Sequence, residues 1–136
     1  YFTFFYLQAK WVFFIRKLFT SSFKGANLKD FSFSPLSKSA INEIYNNSLA
    51  VFDIEHPGQL GLTMRSIEAL GSQKKLITTN ENIAKEGFYN PNNILIINRY
   101  NLKDIPPKFF STKYQPVSDI IYKKYSIQGW IEEIFR

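Results

Sequence analysis

Between Asp53 and Asn80 the chain reads DIEHPGQLGLTMRSIEALGSQKKLITTN, a stretch whose residue types suit the binding of a phosphorylated ligand. Pro57, Gly58 and Gly61 shape a loop, and glycine lets backbone N–H groups come close to a phosphate. Thr63 stands where a helix would begin, so the free amides and the positive end of the helix dipole would face the same anion. The Thr63 hydroxyl adds a donor. Arg65, in the first turn, adds a guanidinium able to grip two phosphate oxygens at once. The spacing matches neither a P-loop nor the GxGxxG dinucleotide fingerprint.

Further along the same helix, Met64, Ile67 and Gly71 fall on one face with Leu70 beside it, and Glu68 projects next to Met64 at the edge of that stripe. A carboxylate there is costly unless paired. Two partners are open to it: Arg65 at i, i+3, a pair worth about 0.2–0.5 kcal/mol, or the hydroxyls of a bound ribose. His56 precedes Pro57, which holds its backbone extended. It is either a surface loop histidine or a proton donor to a phosphate or leaving group. Asp53 and Glu55 flank the strand end, where two carboxylates suit a metal or an acid–base pair. Asp53 reads first as an acceptor that ties down the loop. Lys74 and Lys75 read as solvated charges at the start of the next strand.

Composition narrows the classes of function. The chain has 136 residues, 45% hydrophobic and 21% charged, the balance of one soluble globular domain. It has no Cys, which excludes disulfides, thiolate metal sites and a Cys nucleophile. A single His removes most zinc-site designs. The net charge of +6 favours polyanionic company: nucleic acid, anionic lipid or a phosphorylated substrate. The opening YFTFFYLQAKWVFFIRKLF is interrupted by Lys10, Arg16 and Lys17. It lacks the order of a signal peptide, and its uncharged runs fall short of the roughly 20 residues of a membrane span. The chain is read as a piece of a longer protein.

These residues need elements to position them. Residues 1–8 suit a buried strand and 9–20 a helix with Trp11, Phe14, Ile15 and Leu18 at helical spacing. That helix could lie on a membrane surface, but packing against the sheet is the expectation. A second strand is expected at 29–33, and a helix capped by Ser37 and running to Asn47. LAVFDI, 49–54, has the continuous apolar character of a strand covered on both faces. A helix from Thr63 to Leu70 with Gly71 at its C′ position, a strand at 75–78, a short helix near Asn80 and a strand at 93–97 follow. Pro106-Pro107 stops regular structure. The tail, 105–136, holds a helix with Pro116 first that runs to Lys124, and one capped by Ser126 with Trp130 and Ile134 inward. Strands alternating with helices predict one α/β domain over 1–136, a Rossmann-like three-layer sandwich whose parallel sheet has about five strands.

DIEHPGQLGLTMRSIEALGSQKKLITTN, followed by FYNPNNILIINR and by IYKKYS from Ile121 to Ser126, resembles the C-terminal half of bacterial glycosyltransferases of the GT-B type, those of lipopolysaccharide-core or capsular-polysaccharide synthesis. The resemblance covers about 31–135 and is densest over 53–99. It implies a nucleotide-sugar donor, with Gln59, Gly61, Leu62, Thr63 and Arg65 at the diphosphate and Glu68, on the helix after the donor loop, holding the ribose. The commoner retaining members carry a second Glu eight residues earlier. Leu60 stands at that position here, so their stereochemistry is not carried over. The resemblance further implies no metal or other cofactor, a saccharide or lipid-linked acceptor, and an N-terminal domain of the same chain that supplies most of the acceptor site. His56 remains the one catalytic candidate within this chain. A cytoplasmic setting, with peripheral contact to the inner membrane, goes with that reading. A basic nucleic-acid-binding module is the rival from another class, and a non-catalytic α/β interaction domain the third. Contacts to the base are expected from the loop at Thr78–Asn82.

Overall fold

A computed structural model describes residues 2–56, 58–102 and 105–135. The chain divides into two compact units, Tyr1–Ile44 and Tyr45–Arg136. In the first, β1 (Phe5–Tyr6) pairs in parallel with β2 (Phe31–Ser32), Phe5 opposite Phe31. Between them α1 (Lys10–Phe19) turns Phe13 into an aromatic cluster with Phe23 and Phe31, whose rings stack at 5.5 Å. Thr20 ends α1, its N–H and hydroxyl both donating to the Arg16 carbonyl. α2 (Lys38–Asn46) starts as its sequence predicts, with the Ser37 hydroxyl accepting from the Ala40 N–H.

The second unit holds a three-stranded parallel sheet in the order β3 (Ala50–Asp53), β4 (Lys75–Thr78), β5 (Ile94–Ile96). β4 lies in the middle and is buried throughout. Its alternation sends Leu76 to one face, among Ala69 and Leu70 of α3 (Met64–Gly71), Ile83 and Phe88. Ile77 goes to the other, with Ile97 and with Phe109 of α4 (Pro107–Ser111). Burying two such side chains contributes about 1.5–3 kcal/mol each. This central strand explains why helices are needed on both faces. A run of asparagines stitches the tail to the sheet: Asn93 exchanges hydrogen bonds with the backbone of Gln115, and Asn92 donates to the Lys113 carbonyl. α5 (Asp119–Lys124) and α6 (Ile127–Ile134) close the chain. At Gly129 a Cβ would come within 2.0 Å of the Lys123 carbonyl oxygen, so only glycine permits that approach.

The parallel α/β plan is as expected, but its five described strands form sheets of two and three, not one sheet of five. β1 and β2 are only two residues long each. A 3-10 turn at Leu28–Asp30, closed by an Asn27–Asp30 capping box, takes up the start of the expected 29–33 strand. β3 is covered less completely than its apolar run implies, with Phe52 and Ile54 exposed at its end. The Pro106-Pro107 pair starts α4 instead of ending structure, because proline suits the first turn of a helix. α5 begins at Asp119, behind Ser118 as cap, three residues past the Pro116 start. Trp130 and Ile134 face outward, as do Trp11, Phe14, Ile15 and Leu18 of α1. In α1 the core is built on Phe13, which leaves the longer apolar stripe on the opposite side. Lys75 is buried, not solvated. Its ammonium donates to the Asn92 carbonyl and the Thr112 hydroxyl and lies over the Phe109 ring, and burial lowers its pKa. Lys74 donates to the Asn46 carbonyl. Among the described residues no helix is long and apolar enough to cross a membrane.

The end of α3 differs from expectation by two residues. Gly71 is its last helical residue, and the left-handed position belongs to Gln73, at φ 52°. The Gln73 N–H donates to Leu70 and the Lys74 N–H to Ala69, which is the Schellman pattern with Gln73 at C′. A left-handed non-glycine residue is strained, while glycine there loses more chain entropy on folding. The net effect of Gln73→Gly is therefore a stabilisation of about 0.5–1 kcal/mol, seen as a higher urea midpoint at unchanged slope. A lower midpoint would contradict this account of the helix end.

Candidate functional site

The carboxyl ends of β3, β4 and β5 bring together polar groups that lie far apart in sequence. Asp53, the last residue of β3, is fully buried. Its Oδ2 accepts from the Thr63 hydroxyl at 2.5 Å and from the Ser66 hydroxyl at 3.5 Å. Thr63 is the N-cap of α3, and its Oγ1 accepts in turn from the Ser66 N–H at 3.2 Å. The Asp53 Oδ1 has no hydrogen-bond partner among the described residues. The Arg65 guanidinium stands 3.6 Å from it, an ion pair too long to be a hydrogen bond. Asp53 is thus the acceptor that ties the loop to the helix, as its position suggests.

That tie changes what Thr63 can offer. A hydroxyl has one proton, and this one goes to Asp53, so the Thr63 side chain has no proton left to donate elsewhere. Gln59 is also turned onto its own loop, donating to the carbonyls of Gly61 and Leu62 at 3.4 and 3.3 Å. The Leu62 side chain packs on the core, and open space surrounds Gly61. His56 is exposed, and its carbonyl accepts from the Gln59 N–H across a turn whose third residue, Gly58, has φ 89°. Pro57, and with it the His56–Pro57 step, lies outside the described residues. Leu60 is exposed.

Arg65 and Glu68 do not pair with each other among the described residues. Arg65 turns to Asp53 while its side chain stays 62% exposed. Glu68, exposed on the second turn of α3, accepts at Oε2 from the Tyr45 hydroxyl at 2.8 Å. Burial, and then the bond to Glu68, raise the Tyr45 pKa, so this phenol keeps its proton and remains the donor.

Three further residues complete the site: Asn80 and Thr79, from the loop expected to meet the base, and Arg99, which the sequence reading did not single out. Asn80, buried after β4, donates from its side chain to the Gly61 carbonyl at 3.0 Å and fixes the loop from the other side. Arg99, after β5, pairs with Glu55 at 2.7 Å and also donates to its backbone carbonyl. The Thr79 hydroxyl donates to the other Glu55 oxygen at 2.5 Å. Burial alone would raise the Glu55 pKa, but the hydrogen bonds from Thr79 and Arg99 outweigh it and hold the group below its ordinary 4.5. Of the Thr78–Asn82 loop, Thr78, Thr79 and Asn80 are buried. The one sequence signal for Arg99 was its place at the carboxyl end of a strand, where ligand loops gather. Among the described residues no group of three or more His, Asp or Glu is placed to hold a metal ion.

Comparison with known proteins gives no match to a family model, to a curated protein or to a solved structure.

Two predictions follow from this geometry. Thr63→Val removes both the cap and the bond to a buried carboxylate and lowers unfolding free energy by about 2–3 kcal/mol, while Thr63→Ser costs well under half of that. Equal losses in urea unfolding would refute the Asp53–Thr63 tie. Because the folded-state pKa of Glu55 lies below the unfolded one, its contribution is complete above pH 4.5 and fades as pH falls through the folded value. Glu55→Gln should flatten the acid limb of the stability–pH curve, and an unchanged limb would contradict the assignment.

Proposed function

We propose that this face holds the nucleotide diphosphate of a nucleotide-sugar, and that the chain is the donor-binding part of a GT-B type glycosyltransferase acting in bacterial surface-polysaccharide or lipopolysaccharide-core synthesis. The observation that carries the reading is Glu68. It is an exposed carboxylate one turn into a helix that follows a glycine-containing loop, held by the Tyr45 hydroxyl and not by the neighbouring arginine. A carboxylate has about four acceptor sites. Tyr45 uses one of them, and the rest leave room for two ribose hydroxyls.

The diphosphate would meet the amides that open α3, around Gly61, Leu62 and Thr63, together with the exposed Arg65. The N–H groups of Thr63, Met64 and Arg65 have no partner within the helix, and those of Gly61 and Leu62 lead into it. Their dipole and the guanidinium would stabilise charge on the departing nucleotide diphosphate, an electrostatic contribution to catalysis that needs no metal. The buried Asp53 behind Arg65 keeps the guanidinium at the helix start even without ligand. In this reading Gln59 and Asn80 shape the loop and do not touch the donor, and His56 is the residue from which a proton transfer to the leaving group would come.

A thermal-shift screen of UDP, GDP, CMP and ADP with their sugars tests the proposal. One nucleotide at a hundred times its dissociation constant should add about 2.7 kcal/mol of stability. Glu68→Ala should abolish the shift, and Tyr45→Phe should reduce it. A shift that survives Glu68→Ala would remove Glu68 from the site. No shift with any nucleotide, alongside salt-sensitive binding of single-stranded nucleic acid, would favour the nucleic-acid reading instead.

A further inference from the structure

The first unit carries an amphipathic helix whose apolar stripe points away from its own core. In α1, Trp11, Phe14, Ile15, Leu18 and Phe19 are 66%, 60%, 48%, 78% and 77% exposed, while Phe13 is 2% exposed. At 100° per residue the five exposed side chains span an arc of about 140° centred opposite Phe13. A helix normally buries such a stripe and keeps its polar side in water. Here Phe13 is the buried residue of α1, and among the described residues the larger face stays exposed.

The charges around that face select its partner. α1 contains no acidic residue, and Lys10, Arg16 and Lys17 border the stripe on both flanks. Their cationic ends lean back toward the unit and away from the stripe. Lys10 lies over the Phe33 ring, Arg16 over Phe23 and Lys17 over Phe13, and Lys17 also donates to the Ala26 carbonyl. With the apolar face sunk about 5–10 Å into a bilayer surface, such cations lie level with the headgroups. Residues 1–44 hold six Lys and Arg against two Asp and Glu, so this third of the chain carries +4 of the net +6. At ten residues the helix is about 15 Å long, half the hydrocarbon thickness, which fits a placement in the surface plane and excludes a span.

α6 provides the contrast. Ile127, Trp130, Ile131 and Ile134 are exposed as well, but the charged residues of that helix are Glu132, paired with Lys123, and Glu133, both outside the stripe. An apolar surface alone would accept either helix. An anionic one favours α1, with three cations and no acid, over α6. We infer that α1 is a docking face for an anionic lipid surface, lying in the interface with Trp11, Phe14, Ile15, Leu18 and Phe19 inserted and Lys10, Arg16 and Lys17 on the headgroups. This inference is independent of the nucleotide reading.

The test is co-sedimentation of the whole chain with vesicles of equal parts phosphatidylglycerol and phosphatidylcholine, and with phosphatidylcholine alone. A Trp130→Phe background leaves Trp11 as the sole tryptophan reporter. Binding should be at least about tenfold tighter to the anionic vesicles, with a blue shift of the Trp11 emission. Phe14→Ser with Leu18→Ser should weaken it at least about tenfold. Lys10→Gln with Lys17→Gln should erase the preference for anionic lipid. Ile131→Ser with Ile134→Ser, the control on α6, should leave binding unchanged. All these side chains are exposed, and circular dichroism checks that the variants fold. Absence of binding, or binding that survives the α1 changes, overturns the proposal. So does a concentration-dependent dimer, seen by analytical ultracentrifugation, that the α1 changes abolish without any vesicle binding; that result would assign the face to a second copy.

Discussion

A carboxylate shut away from water at the end of a strand must be compensated, and Asp53 sets the terms for everything around it. Leaving a buried charge without partners costs several kcal/mol. The compensation comes from Thr63 and Ser66, which belong to the next helix, and from the guanidinium of Arg65. One side chain therefore ties the end of β3 to the start of α3 and closes the loop between them. The Asp53 backbone carbonyl also accepts from the Thr79 N–H, bringing in the end of β4. Asn80 also holds the Gly61 carbonyl, and Gln59 donates to the carbonyls of Gly61 and Leu62.

A second charged cluster repeats this arrangement across the sheet. Glu55, Thr79 and Arg99 come from the ends of the three strands in turn and are bonded to one another. The two clusters fix the carboxyl end of the sheet as a rigid floor. Beside that floor stand the exposed Arg65 guanidinium and Glu68 on its Tyr45 support, at the start of α3. The proposed donor site is built from these, so its preorganisation rests on residues that would never touch the ligand.

Much of this was legible in the sequence because it is local. The Thr63 and Ser126 caps, the β4 strand KLIT and the alternation of strands with helices depend on neighbours within a few residues, and all of them stand in the structure. What was not legible depends on distant partners. Glu68 had a plausible partner three residues away in Arg65, yet its bond is to Tyr45, 23 residues back. Arg99 and Glu55 are 44 residues apart. Lys75 looked like any lysine at a strand start, and only the folding of Asn92, Thr112 and Phe109 around it makes it a buried cation. Periodicity identified the apolar stripes of α1 and α6 but not the direction they face, since the core of the first unit gathers around Phe13 instead. The division into a two-stranded and a three-stranded sheet escaped notice for a similar reason. Strand propensity says that a segment is extended and not which segment it pairs with.

The central claim is that the opening of α3 is the place where a nucleotide diphosphate binds. Backbone amide chemical shifts, recorded by NMR while UDP, GDP and CDP are titrated in turn, test it most directly. One of them should perturb the amides of Gly61 through Arg65 most, with a smaller effect at Glu68 and little on the β1–β2 pair. Perturbations centred elsewhere, or absent for every nucleotide while the protein remains folded, would contradict it.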